Sequence, residues 1–258
     1  MNHYGFLIEN EIFWSGLTGG WEKESLRLWI KLCQNATVVF DIGANTGIYS
    51  LISKAVNRNA VVYALEPVQR VFKKLAENNS LNNYDIKCIQ AAASNSEGTA
   101  LIYDTYEEHT YSVTINKNLN EEAVKVFTSE IDTLTLDGLI ERENLTRLDL
   151  IKIDVETHEA EVMEGFRKHL ALYKPTILIE ILTDEVGKKV QQIVHGLGYL
   201  YFTIHEEHGV RQVEQISHSL TTNFNFLICS RSVAVDLGIM KGAACTTASE
   251  VQTYTPVL

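Results

Sequence analysis

Two hydrophobic rhythms alternate along this chain. Short apolar runs occur at 38–43 (VVFDIG), 61–67 (VVYALEP), 86–93 (IKCIQAAA), 148–155 (LDLIKIDV) and 176–182 (TILIEIL). Between several of them the apolar residues recur every three or four positions. Ile48, Leu51, Ile52 and Ala55 share one helix face, as do Val68, Val71, Phe72 and Leu75, and later Val186, Val190, Ile193, Val194 and Leu197. Short runs predict strands buried on both faces, and the intervening periodicity predicts covering helices. The alternation is that of a parallel, doubly wound α/β sheet. Two last runs, 199–204 (YLYFTI) and 224–229 (FNFLIC), have no helical segment between them, which predicts an antiparallel pair at the sheet edge.

Three regions depart from the rhythm. Residues 1–37 form an N-terminal extension, with one helix predicted from Trp21 to Gln34 on the spacing of Leu26, Trp29, Ile30 and Cys33. Within the main domain, 38–232, the stretch 97–130 reads as an inserted β-hairpin, TALIYDTY and AVKVFTS flanking the polar INKNLNEE. A helix is predicted after 155 through about Leu170. The tail, 233–258, is rich in Ala, Thr and Ser and shows no period; it is either mobile or folded back as a lid.

Composition narrows the partners. Of 258 residues, 45% are apolar and 21% charged, ordinary for a globular chain. The net charge of −11, with 33 acidic against 22 basic residues and no basic run, argues against a nucleic acid partner. No window approaches about 18 consecutive apolar residues, so no membrane span or membrane partner is expected. The start, MNHYGFLIEN, has no secretory leader pattern, and a cytoplasmic location is expected. Cys33, Cys88, Cys229 and Cys245 are scattered, which predicts reduced thiols rather than a disulfide framework or a zinc site.

Candidate chemistry concentrates in two segments. DIGANTGIYS, 41–50, joins a buried strand to a helix through Gly43 and Gly47. In an open sheet such a turn lies at the carboxyl ends of the strands, where ligands bind. A nicotinamide turn, G-x-G-x-x-G, would need glycine where Asn45 and Ile48 stand. Asp41 before the first glycine would repel a pyrophosphate but suits the cationic amino-acid end of S-adenosylmethionine. Glu66 closes the second strand, where a carboxylate can accept both ribose hydroxyls. Small residues from Ala91 to Ser94, Ala92 among them, leave room for an adenine. Ala44, Tyr49, Ser50, Pro67 and Asp154 complete the candidate cofactor-binding set.

The second segment is LDLIKIDVETHEAE, 148–161. Charge is costly in a buried strand, yet Lys152, Asp154 and Glu156 alternate there and so share a face, and Glu180 stands inside another apolar run. A lysine among carboxylates can be a scaffold network. It can equally present Asp154 and Glu156 at the strand's carboxyl end to a reacting group, with His158 as a proton acceptor. The cluster His205–Glu206–Glu207–His208 reads as a solvated turn rather than a metal site. Whether a metal is required stays open.

Taken in order, DIGANTGIYS, YALEPV, ENNSLNN, AAASNSEGTA, TLDGLI, LDLIKIDVETHEAEVMEGF and PTILIEI resemble the FkbM-type methyltransferases over about 38–182, with NFLIC near 225 as a last strand. The resemblance implies a class I, Rossmann-like S-adenosylmethionine-dependent fold of seven strands, the last antiparallel. It also implies O-methylation of a hydroxyl on a small molecule, sugar or natural product. By the same match, Asp41, Gly43, Asn45, Gly47 and Glu66 carry over as cofactor contacts, and Lys152, Asp154 and Glu156 as the catalytic end. Thr157 stands where the family has glycine, a departure that also leaves room for a non-catalytic S-adenosylmethionine-binding scaffold; a nicotinamide-dependent oxidoreductase is the more distant alternative. Oligomeric state is not readable.

Overall fold

The computed structural model describes residues 11, 12, 14–105, 126–218 and 224–241. In chain order its elements are α1 (Lys23–Cys33), β1 (Val38–Ile42), α2 (Ile48–Val56), β2 (Val61–Leu65), α3 (Gln69–Leu81), β3 (Lys87–Ile89), β4 (Ala92–Ala93), β5 (Gly98–Thr105), β6 (Val126–Leu134) and α4 (Leu136–Arg142). There follow β7 (Leu150–Ile153), α5 (Glu159–Glu164), α6 (Arg167–Tyr173), β8 (Thr176–Glu180), α7 (Asp184–Val194), β9 (Leu200–His205), β10 (Gly209–Val213), β11 (Asn225–Cys229) and α8 (Arg231–Asp236). The main sheet has eight strands in the order β10-β9-β11-β8-β7-β1-β2-β3.

The sheet is parallel from β3 to β8 and covered on both faces. Because strand side chains alternate, each run feeds two cores. Phe40, Ile42, Ile151 and Ile177 pack under α4 to α7, while Val39, Val62, Leu150 and Leu178 pack under α1, α2 and α8. This is why β1 and β7 read as unbroken apolar runs: all their positions are buried. Trp29 anchors α1; it is fully buried, and its indole N–H donates to the Tyr49 carbonyl and the Ser53 hydroxyl, each at 3.0 Å. Burial of a large apolar side chain contributes roughly 1.5–3 kcal/mol. Trp29→Ala would also remove that donor, leaving the Tyr49 carbonyl and Ser53 Oγ with each other and Cys33 Sγ.

Several expectations are corrected. The run 86–93 is not one strand: β3 pairs with β2, whereas β4 leaves for a small sheet ordered β4-β6-β5. That sheet is the inserted hairpin, with β5 and β6 antiparallel from Gly98↔Thr133 to Thr105↔Val126; its connecting residues, 106–125, lie outside the described residues. The helix after 155 is two, α5 and α6, separated at Gly165 and Phe166. The last run, β11, is not at the edge; it lies between β8 and β9, antiparallel to both. The edge is β10, an eighth and largely polar strand. The tail begins with α8, whose Ala234, with Leu237 just after it, is buried in the α1–α2 core; 242–258, Cys245 included, lie outside the described residues.

Candidate active site

The carboxyl ends of β1, β2, β7 and β8 open on one cavity of about 470 Å³. That is the size of a small-molecule site. Its wall is assembled from the β1–α2 turn, the ends of β2 and β7, β4, and the segment preceding α1.

The turn is built by backbone geometry. Gly43 has φ +75°, and a Cβ there would lie 1.8 Å from the Asp154 carbonyl oxygen. Only glycine lets β1 and the β7 loop come this close. The N–H groups of Gly43 and Ala44 both donate to the Leu65 carbonyl, at 3.0 and 2.9 Å, tying the turn to β2. Gly47, at φ +97°, begins α2 with Leu75 packed where a side chain would project.

Asp41 is buried and accepts from the Ser50 N–H at 2.9 Å and the Ser50 hydroxyl at 2.6 Å. Burial pushes its carboxyl up to about 6, against those two hydrogen bonds. Ser50 is fully buried behind Asp41 and is not among the residues on the cavity wall. Glu66 accepts from the Asn45 N–H at 3.0 Å and the Val68 N–H at 2.9 Å. It too is raised by burial, to about 7. The four lone-pair sites of a carboxylate leave Glu66 capacity for two further donors. Ala44, Asn45, Tyr49, Pro67 and Ala92 stand on the same wall.

Opposite them is a charged cluster. Lys152 is 1% exposed and donates to Asp154 Oδ2 at 2.9 Å. Burial pulls its ammonium down, but Asp154, Glu22 and Glu180 outweigh that, so it stays charged. Asp154, Glu156 and Glu180 each place a carboxylate oxygen within 4.8 Å of the others, close enough to share one cation. Burial, then Asp154, raises both Glu156, to about 8, and Glu180.

His158 does not join this cluster. It is buried, its Nε2 is 3.0 Å from the Ser94 hydroxyl, and the charges acting on it are Glu161 and Glu164. Burial lowers its pKa, against the raising effect of Glu161 and Glu164. It lines the same cavity, with its Nε2 on the Ala91–Ser94 side. Thr157 has φ +76° and its neighbour Glu156 φ +53°. The residue in the family's glycine position thus keeps a glycine-like backbone, with Glu159 accepting from the Val155 and Thr157 N–H groups.

Sequence reasoning missed Trp21 and Glu22. Glu22 lines the cavity in a left-handed conformation, accepts from the Tyr49 hydroxyl, and accepts from Asn225 Nδ2 at 2.8 Å. No local pattern announces it. The turn 205–208 is not a free solvated loop: Glu206 accepts from Glu24 N–H and Ser25 Oγ at the start of α1, and Glu207 pairs with Lys23. The three described cysteines are free thiols, and no described helix is long and apolar enough to cross a membrane.

A doubly wound sheet with β11 reversed between β8 and β9, and a glycine turn opening on an acid-lined cavity, make up the class I, Rossmann-like methyltransferase fold. The Methyltransferase FkbM domain model matches residues 41–211, and the chain belongs to that family of S-adenosylmethionine-dependent methyltransferases. Hexuronic acid methyltransferase AglP of Haloferax volcanii is 26% identical over 173 residues, covering 67% of each chain. Methyltransferase sdnD of Sordaria araneosa is 25% identical over 188 residues, covering 62% of this chain and 73% of that one. A solved FkbM methyltransferase from Methylobacillus flagellatus KT is 15% identical with a TM-score of 0.47, over 76% of this chain and 44% of that protein's length.

Proposed function

We propose that this protein transfers the methyl group of S-adenosylmethionine to a hydroxyl oxygen of a small molecule or sugar. The cavity suits the donor: Glu66 has spare acceptor capacity at one end, small side chains at Ala91 to Ala93 leave space for a ring, and the Gly43 turn leads from there to Asp154. When bound, the donor supplies an activated sulfonium methyl.

The observation that carries the reading is the placing of Asp154. It stands at the carboxyl end of β7, in contact with the donor turn, on the cavity wall. Lys152 fixes its Oδ2 and is the positioning residue; Asp154 Oδ1 then accepts the acceptor's hydroxyl proton as the oxygen takes the methyl group. The names of the relatives, one a hexuronic acid methyltransferase, favour a sugar or similar polyhydroxyl acceptor.

Asp154→Asn keeps the shape and removes the charge. With an acceptor found by screening sugars and hydroxylated small molecules, turnover should fall roughly 10²–10⁴-fold, the contribution of a positioned base, while affinity for neutral S-adenosylhomocysteine holds. Unchanged turnover would make Asp154 scaffold.

A further inference from the structure

We propose that Asp154, Glu156 and Glu180 form an anionic wall that tells the sulfonium donor from its uncharged thioether product, so that methyl transfer itself loosens the bound nucleoside. The inference rests on the donor reading above and assigns the cluster a task besides base catalysis.

The geometry begins with charge. Glu22, Asp154, Glu156 and Glu180 line the cavity, and among the described lining residues the cation is Lys152. Asp41 from β1 adds another carboxyl, Tyr49 from α2 a phenol, and Glu159 from α5 a carboxyl beneath the 155–157 loop. One ammonium cannot neutralise so many carboxylates in a low-dielectric wall, so without a further cation some of them hold protons. The upward shifts of Glu156 and Glu180 agree with this. Asn225, directly across from Glu180 on β11 and therefore on the same face, is 95% buried, and its Oδ1 has no hydrogen-bond partner. An orphaned buried oxygen, on a side chain that bonds Glu22 and shares the face of Glu180, is a further acceptor next to the acidic wall.

The cation is identified by where the wall stands. The Gly43 backbone lies against the Asp154 carbonyl, so a donor chain following the turn would run beside the residue that heads the cluster. The donor's sulfonium is a soft, fixed positive charge that cannot lose a proton. Its arrival favours ionised carboxyls and expels their protons. Transfer moves the methyl, with its bond to sulfur broken and its bond to the acceptor oxygen formed, and sulfur keeps the electron pair. The sulfur is then neutral, the attraction is gone, and the carboxyls regain protons.

Calorimetry tests this without an acceptor. S-adenosylmethionine, S-adenosylhomocysteine and an analogue with an ammonium group in place of the methylsulfonium are titrated into the full chain from pH 6 to 8.5, in buffers of different ionisation heat and with EDTA. The two cations should bind more tightly than the thioether and release protons, and the gap should widen as pH rises. A downward shift of one carboxyl by one unit is worth about tenfold in affinity. Glu180→Gln should narrow the gap by about that factor, with S-adenosylhomocysteine affinity as the control for folding; Glu156→Gln should act in the same direction. Equal affinities without proton release would overturn the proposal and leave the donor reading standing. A gap that appears only with added magnesium would also overturn it, in favour of a divalent ion. Failure of all three ligands to bind would overturn both.

Discussion

Lys152→Met makes the sharpest test of the charged cluster. The side chain is isosteric over most of its length, so packing is nearly kept while the cation beside Asp154 disappears. Breaking a buried ion pair from one side costs about 3–5 kcal/mol. Here the lower end applies, because the Asp154 side chain is 30% exposed and can rehydrate. A loss of about 3 kcal/mol lowers Tm by roughly 6–12 °C in a chain of this size. The loss should also depend on pH. Lys152 has a raised pKa, so its own charge, and the stability it confers, is complete throughout pH 5–8 and is lost only well above it. Glu156 and Glu180 are raised, so ionising them costs folded-state stability as pH climbs from their ordinary value of about 4.5 toward their folded values. Lys152 lowers both, and removing it pushes both higher. The variant's deficit, read from urea melts followed by tryptophan fluorescence, should therefore be larger at pH 8 than at pH 5.5, and adding Glu180→Gln should restore part of it. A deficit below about 1 kcal/mol, or one larger at the acid end, would refute the electrostatic account.

Two further changes test the donor end and the departure from the family pattern. Glu66→Ala should weaken donor binding by roughly 1–3 kcal/mol in a titration, the range for hydrogen bonds to a charged group; unchanged affinity would remove the ribose assignment. Thr157→Gly should stabilise the protein by up to about 1.5 kcal/mol in chemical denaturation, since a left-handed conformation costs a non-glycine residue roughly 1–2 kcal/mol and the freer unfolded chain returns about 0.4–1. A destabilised variant would show that the threonine side chain holds the loop.

Legibility in the sequence followed the range of the forces involved. β1, β2, β7 and β8 were readable because burial on both faces leaves an apolar run, and the Gly43–Gly47 turn because backbone approach restricts residue type. Lys152 and Glu180 stood out for the same reason inverted: charge in such a run needs a partner. The break between β3 and β4 was not readable, since Gln90 and Ala91 carry no turn chemistry and the change of sheet is dictated by β6, which arrives some forty residues later. The interior place of β11 was hidden because an apolar strand looks alike at an edge or in the middle. Trp21 and Glu22 reach the cavity, and Asn225 reaches Glu22, only through the packing of α1 and β11, so their neighbours in sequence say nothing about them. His158 was read from its proximity in sequence to Asp154; its bond to Ser94, 64 positions away, was not readable there.

The hydrogen bond between Glu22 and Asn225 joins residues 203 positions apart. It puts the completion of the cavity at the end of folding rather than near its beginning. Strands β1, β2 and β7 can assemble around local helices, but the wall that holds Glu22 closes only when β11 has slid between β8 and β9. On a ribosome, a chain released only as far as α7 would own its glycine turn, Lys152 and the Tyr49 hydroxyl yet lack the second bond to Glu22, from Asn225. Long-range closure of this kind is slow compared with helix formation. Donor affinity should thus emerge late and abruptly during synthesis, in step with insertion of the reversed strand.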